Sequence, residues 1–267
     1  MRIALKGILV LLLISNLALV ATLVHEHFAS QTSEIVVPPY NKQSDNNSDN
    51  QDYVWQPSAH YLQRVSQFEQ MPLHAGDVVF VGDSITEGGK WAEWFQGQHV
   101  SNLGIGGDTT QGVLNRLDMI TQAKPGKMFL MIGINDLSVR GAQNIPAILH
   151  NYREILLRVI EESPETRIYV QSVLPVNKTM FKCLFDNHDV LTLNAGLREM
   201  SNELGLDYIN LYSRFVKDNQ LNASYTSDGV HLTRHGYDLW KEIVDGPVRY
   251  VDDWWSVSLL RVQPVGN

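Results

Sequence analysis

The residues of this sequence with the most chemical content are Ser84, within Gly82-Asp83-Ser84-Ile85-Thr86, and His231, within Asp228-Gly229-Val230-His231. A serine hydroxyl attacks a carbonyl only when a base removes its proton. An imidazole does so best when a carboxylate fixes its tautomer and stabilises the imidazolium. Ser84, His231 and Asp228 supply those parts, and the short spacing of Asp228 and His231 lets both sit on one turn. Acyl transfer also needs donors aimed at the developing oxyanion. The candidates are the backbone N–H of Ser84, the backbone N–H of Gly107 in Gly104-Ile105-Gly106-Gly107-Asp108-Thr109, and the side-chain amide of Asn135 in Gly133-Ile134-Asn135-Asp136. Glycine permits close backbone approach and Asn presents two donors.

Each fragment taken alone is ordinary, since Gly-Asp-Ser often makes a turn and Asp-x-x-His often caps a helix. Their joint occurrence, each after the right kind of element, carries the catalytic reading. Asp83 and Asp136 are expected to tie down loop N–H groups, and Asp108-Thr109 to cap the helix that follows. Other motifs fail on inspection. Gly89-Lys90 lacks the glycine and hydroxyl of a phosphate loop, and Thr109 stands where a dinucleotide fingerprint needs its third glycine. His231 and His235 have zinc-pair spacing, but no Glu follows His231. The expected chemistry therefore needs neither cofactor nor metal.

The scaffold follows from periodicity. Apolar runs of strand length at 77–81, 99–103, 128–132, 168–173 and 208–211 alternate with segments of helical period. Ser58 is placed to cap a helix carrying Leu62, Val65 and Phe68. Val113, Leu117 and Ile120 share a face, as do Ile145, Ile148, Tyr152, Ile155 and Val159, then Leu193, Leu197, Met200 and Leu204, and finally Leu239, Trp240 and Ile243. About five strand–helix alternations predict an α/β fold with a parallel sheet, helices on both faces, and a ligand site beyond the carboxyl ends of the strands.

The four polar blocks resemble those of the SGNH, or GDSL-type, hydrolases. The family's nucleophile falls on Ser84, its glycine on Gly107, its asparagine on Asn135, and its base and acid on His231 and Asp228. The similarity spans about residues 53–246, and the stretch Asn102 to Thr110 is especially similar to the platelet-activating-factor acetylhydrolase type. It implies a three-layer flavodoxin-like fold, hydrolysis of an ester with a small acyl group, and association of some members as homodimers. Ile85 replaces the usual Leu, a conservative change on a side chain directed at the core.

Composition bounds the rest. With 44% apolar and 19% charged residues the chain can bury a core. Twenty-one basic against 29 acidic residues give a net charge of −8, the wrong sign for a nucleic-acid binder. The single Cys183 excludes a disulfide framework. Residues 1–30 read as a signal anchor or signal peptide, with Arg2 and Lys6 before an apolar run from Gly7 to Val24. Residues 31–52 form a polar tether, 53–250 the hydrolase domain, and 251–267 a tail with Trp254-Trp255. The expected protein is an exported esterase, anchored on the outer side of the inner or plasma membrane, or secreted if the segment is cleaved. Its expected substrates are short acyl esters, including acylated glycans. Longer-chain lysophospholipids or thioesters, and a tethered glycan-binding module, are the alternatives. Trp91, Trp94 and Phe95 on one side, with Met180, Phe181, Leu184 and Phe185 on the other, are core residues or the walls of a narrow acyl slot.

Overall fold

The computed structural model describes residues 55–250, so the apolar N-terminal run, the polar tether and the Trp254-Trp255 tail lie outside the described residues. Among the described residues no helix is long and apolar enough to cross a membrane.

Five strands form the main sheet: β1 (Val78–Gly82), β2 (Val100–Gly104), β3 (Lys127–Met131), β4 (Arg167–Gln171) and β5 (Asp207–Ile209). Their order is β2-β1-β3-β4-β5 and every neighbouring pair is parallel. This is the flavodoxin-like arrangement expected from the sequence. In β1 all five residues are buried, so both of its faces are covered. The strand order reverses at β1, the point beyond whose carboxyl ends folds of this kind place their ligands. Each strand lies within a few residues of its expected place, with β5 reduced to a partly buried edge strand.

The long helices are α1 (Ala59–Glu69), α7 (Ile145–Glu162), α8 (Asn187–Glu203) and α10 (Arg234–Arg249). The shorter ones are α2 (Ser84–Glu87), α3 (Trp91–Trp94), α4 (Thr110–Asn115), α5 (Leu117–Ala123), α6 (Ile134–Arg140) and α9 (Tyr212–Phe215). A two-stranded ribbon, Val216–Lys217 with Gln220–Leu221, precedes the last helix. In α7 all five residues of the expected apolar face are buried.

Two helical faces differ from expectation. Ser58 does cap α1, accepting the Tyr61 N–H at 3.0 Å, but Leu62 is 56% exposed. Phe68 is buried as expected, but Tyr61 takes the inward place of Leu62, because its hydroxyl donates to the Gly112 carbonyl at 2.7 Å and turns that side of the helix inward. The single helix expected through Val113, Leu117 and Ile120 breaks into α4 and α5 at Arg116, whose side chain is drawn inward.

Trp91 and Phe95 are fully buried, so they are core and not slot walls. Trp91 stacks on Phe80 with ring centroids 3.9 Å apart and meets Trp240 edge-on at 4.8 Å. Its indole N–H donates to the Thr86 carbonyl at 2.9 Å, which ties the aromatic cluster to α2. Truncating a buried tryptophan removes both the transfer energy and the packing around the void. Trp91→Ala is therefore expected to lower the free energy of unfolding by about 3–5 kcal/mol. Urea denaturation reads this directly, and a loss below about 1 kcal/mol would contradict the core placement.

Candidate active site

Ser84 occupies the first position of α2, directly beyond the buried β1. Asp83 caps that helix by accepting the Ile85 N–H at 2.9 Å, and Ile85 points into the core. As the first helical residue, Ser84 has an N–H with no intrahelical acceptor. Its side chain is half-buried.

His231 arrives from the far end of the chain on a turn built by hydrogen bonds to side-chain oxygens. Asp228 Oδ1 accepts the Val230 and His231 N–H groups at 2.9 and 2.8 Å, and Thr226 Oγ1 accepts the Gly229 N–H at 2.9 Å. This leaves Asp228 Oδ2 2.6 Å from His231 Nδ1, while His231 Nε2 lies 2.9 Å from Ser84 Oγ. Burial works to raise the Asp228 carboxyl. The hydrogen bonds from the His231 ring and the two N–H groups outweigh it and hold Asp228 at about 2. An ionised Asp228 keeps the imidazole proton on Nδ1, so Nε2 is the acceptor for the Ser84 O–H.

The other two candidates come from neighbouring strand ends. Gly107 lies in the loop after β2 with φ +78°, a left-handed conformation that glycine adopts without strain. Among the described residues no backbone hydrogen bond of that loop uses its N–H. Asn135, in the first turn of α6, donates one amide hydrogen to the Asp108 carbonyl at 2.8 Å, which leaves its second donor for a ligand. All five candidates are thus carried by the segments that follow β1, β2 and β3 and by the turn before α10.

Asp108 departs from the expected capping role. Thr109 alone caps α4, accepting the Gly112 N–H at 3.3 Å. The Asp108 carboxylate instead receives Arg116 Nε at 3.1 Å and Nη2 at 2.8 Å, with both side chains buried. Arg116 also donates to the Gly82 carbonyl at 3.3 Å, pinning the Gly107 loop to the end of β1. Asp136 ties down the start of α4 as expected, accepting the Thr110 N–H at 3.1 Å and its hydroxyl at 2.6 Å. Arg116 and Glu87, which accepts the Gly106 N–H, are the site residues that the sequence reading missed. An arginine interrupting the otherwise apolar face Val113, Leu117 and Ile120 was the available signal for the first.

A cleft of ≈ 300 Å³ is lined by Ser138 of α6 and by Phe181, Lys182, Cys183 and Leu184. Of the side chains expected on that side of an acyl slot, Phe185 is core, Phe181 and Leu184 line the cleft, and Met180 is exposed. Among the described residues no group of three or more His, Cys, Asp or Glu side chains is placed to hold a metal ion.

Three buried carboxylates underlie the site, with the Arg116 charge bound to one of them. Burial pushes Asp83 up to about 7, with the charges of Asp108 and Asp136 adding to it against the Ile85 N–H and His231. Burial likewise raises Asp136 to about 6, although the bonds from Thr110 oppose it. An unfolded Asp titrates near about 3.9, so between about pH 4 and 7 the folded protein keeps a proton on Asp83 that the unfolded chain has released. Stability through this group therefore falls as pH rises across that window. In Asp83→Asn the dependence is removed while the amide oxygen still caps α2. The stability advantage of Asp83→Asn over the parent protein is expected to grow from about pH 4 to 7 and then level off. Urea midpoints across pH measure it, and a difference that is flat over the window would refute the assignment.

Comparison with known proteins places the chain in a family. Residues 80–239 match the GDSL-like lipase/acylhydrolase family. The human platelet-activating factor acetylhydrolase IB subunit alpha1 is 32% identical over 168 residues, covering 60% of this chain and 70% of that protein. The N-acylneuraminate cytidylyltransferase of Streptococcus agalactiae serotype V is 26% identical over 138 residues, covering 52% of this chain and 32% of that protein. The chain thus spans about a third of the length of that bacterial relative. The solved structure of a GDSL-like lipase from Bacteroides thetaiotaomicron shares the fold, with a TM-score of 0.62 at 24% identity over 70% of this chain and 96% of that one. Matched over more than half its length, the chain belongs to the GDSL-like lipase/acylhydrolase family, and its described domain is a carboxylic ester hydrolase of that type.

Proposed function

We propose that the protein hydrolyses short-chain carboxylic esters through an acyl-enzyme on Ser84. The observation that carries this reading is the unbroken relay from Ser84 Oγ to His231 Nε2 at 2.9 Å and from His231 Nδ1 to Asp228 Oδ2 at 2.6 Å. In the first half-reaction Ser84 Oγ bonds to the ester carbonyl carbon as its proton passes to His231 Nε2. The oxyanion accepts hydrogen bonds from the Ser84 N–H, the Gly107 N–H and the free donor of Asn135. Collapse breaks the bond to the alcohol oxygen, which leaves with the proton from Nε2. Water then repeats the sequence on the acyl-enzyme, giving up its proton to Nε2 and releasing the carboxylic acid and Ser84.

Phe181 and Leu184, two of the side chains expected to wall an acyl slot, stay out of the core and line a cleft beside Ser138, which supports a short acyl group. The human relative is named for acetyl hydrolysis, which favours acetyl esters as substrates. The apolar run from Gly7 to Val24 behind Arg2 and Lys6 supports an exported domain held near a membrane or secreted. A second reading, a lysophospholipase or thioesterase on longer chains, draws on Val139, Met180 and Leu184. These exposed apolar side chains lie on or next to the segments that line the cleft. Intact Ser84, Asp228 and His231 argue against a purely binding role.

The nucleophile is tested with p-nitrophenyl acetate. Ser84→Ala is expected to keep its fold and lose at least about 10⁴-fold in kcat, and parent-level turnover in that variant would refute the mechanism. Chain length separates the two substrate readings. A small slot gains about 0.8 kcal/mol for each buried CH₂ until it is full. In a p-nitrophenyl ester series kcat/KM is therefore expected to peak between acetyl and butyryl and to fall by octanoyl. A steady rise through decanoyl would favour the long-chain reading.

A further inference from the structure

Gly107 is an exposed glycine at φ +78°, and among the described residues its N–H donates no hydrogen bond that would hold it in place. Its two neighbours are each anchored. On one side the Asp108 carbonyl receives the Asn135 amide at 2.8 Å. On the other, the Gly106 N–H donates to Glu87 Oε2 at 2.6 Å. Glu87 is the last residue of α2, the short helix that begins with Ser84. The helix that begins with Ser84 thus reaches across with one carboxylate and holds the Ile105-Gly106 peptide, one unit before the peptide that carries the Gly107 N–H. We propose that Glu87 is a positioning residue for acyl transfer, setting the distance between Ser84 and the Gly107 N–H. This rests on the reading of Gly107 as an oxyanion donor.

The surroundings of Glu87 fit that task better than a surface ion pair. Its side chain is only 25% exposed, its second oxygen is ion-paired with Arg64 Nε at 3.0 Å without the alignment of a hydrogen bond, and His60 Nε2 lies 3.1 Å from the carboxylate. Arg64 lies over the Phe68 ring at 4.6 Å and donates to the Gly104 carbonyl at 3.2 Å, so it grips the same loop. Asn102 Nδ2 donates to the Glu87 carbonyl at 2.9 Å and to Gly89 O at 2.8 Å, and its Oδ1 accepts the Gly104 N–H at 2.9 Å. A Cβ on Gly104 would fall 2.6 Å from the Glu87 Cα, so α2 and the end of β2 touch backbone to backbone. A carboxylate accepting a backbone N–H forms a short, charge-assisted bond. Without it the Ile105-Gly106 peptide regains its freedom and with it the Gly107 N–H one peptide further on, and a displacement of about 1 Å at a catalytic group can cost up to about 10²-fold in rate.

The test compares Glu87→Ala, Glu87→Gln and Glu87→Asp on p-nitrophenyl acetate, with thermal melts on each and Asn135→Ala measured in parallel. Gln keeps an oxygen at the same reach without the charge, whereas Asp keeps the charge on a shorter arm. The expected result is a kcat about tenfold lower in Ala and Asp with KM within about twofold, and a Gln variant within about threefold of the parent. The proposal is overturned by parent-level kcat in Ala, by Asp retaining more activity than Gln, or by kcat and KM worsening together with the melting temperature. Should Ala fail to fold, Gln against Asp decides alone. Asn135→Ala is expected to lose about 10²–10³ in kcat. If it does so while the Glu87 variants stay at parent level, the oxyanion site stands and the Glu87 role falls. If Asn135→Ala itself turns over at the parent rate, both fall.

Discussion

Gly82, Gly104 and Met131 lie side by side at the carboxyl ends of three hydrogen-bonded parallel strands, and the rest of the site follows from that register. Because β2, β1 and β3 end level, the segments that continue them emerge together at the point where the strand order reverses. Ser84, Gly107 and Asn135 are each within four residues of one of these ends, so three residues far apart in sequence share one crevice without any long loop to bring them there. Only His231 and Asp228 come from elsewhere, on a turn shaped by its own side-chain hydrogen bonds. A slip of one residue in any of the three strands would turn the following segment away from the crevice.

The polar groups beneath the crevice hold these loops against one another. Asp83 fixes the start of α2, Asp136 the start of α4, and the Asp108–Arg116 pair joins the Gly107 loop to the last carbonyl of β1. Buried carboxylates are unfavourable unless they are hydrogen-bonded or paired, and here each has such partners. Burial, with a smaller push from the Asp108 charge, raises Asp83 and Asp136 toward neutrality, whereas Asp228, at the surface and bonded to His231, stays ionised. The same residue type therefore does two jobs. Depth and hydrogen-bond partners decide which.

Much of this was legible in the sequence, for identifiable reasons. Strands β1, β3 and β4, buried on both faces, read as near-continuous apolar runs, β2 and the edge strand β5 as shorter apolar segments between helical periods, and the residues directly after them were the natural place to look for chemistry. The spacing of Asp228 and His231 encodes a local turn, and local geometry survives translation from sequence. Long-range pairing does not. Nothing local distinguishes Arg116 as the partner of Asp108, or Glu87 as the acceptor for Gly106, because both pairings depend on how α2, α4 and the loop after β2 come together. The aromatic residues show the same limit. Trp91 and Phe95 have the side chains of a binding wall, yet Phe80 and Trp240 enclose Trp91 on the core side of α3.

The central claim is that Ser84 is the nucleophile and that the donors around it converge on one oxygen. The most direct measurement is a crystal structure of the protein after reaction with a fluorophosphonate, whose tetrahedral phosphorus mimics the acyl-transfer intermediate. The account predicts phosphorus bonded to Ser84 Oγ and a phosphonyl oxygen about 2.7–3.1 Å from the Ser84 N, the Gly107 N and the Asn135 Nδ2. Attachment at another serine, or a phosphonyl oxygen turned to solvent with the Gly107 and Asn135 donors unengaged, would contradict it.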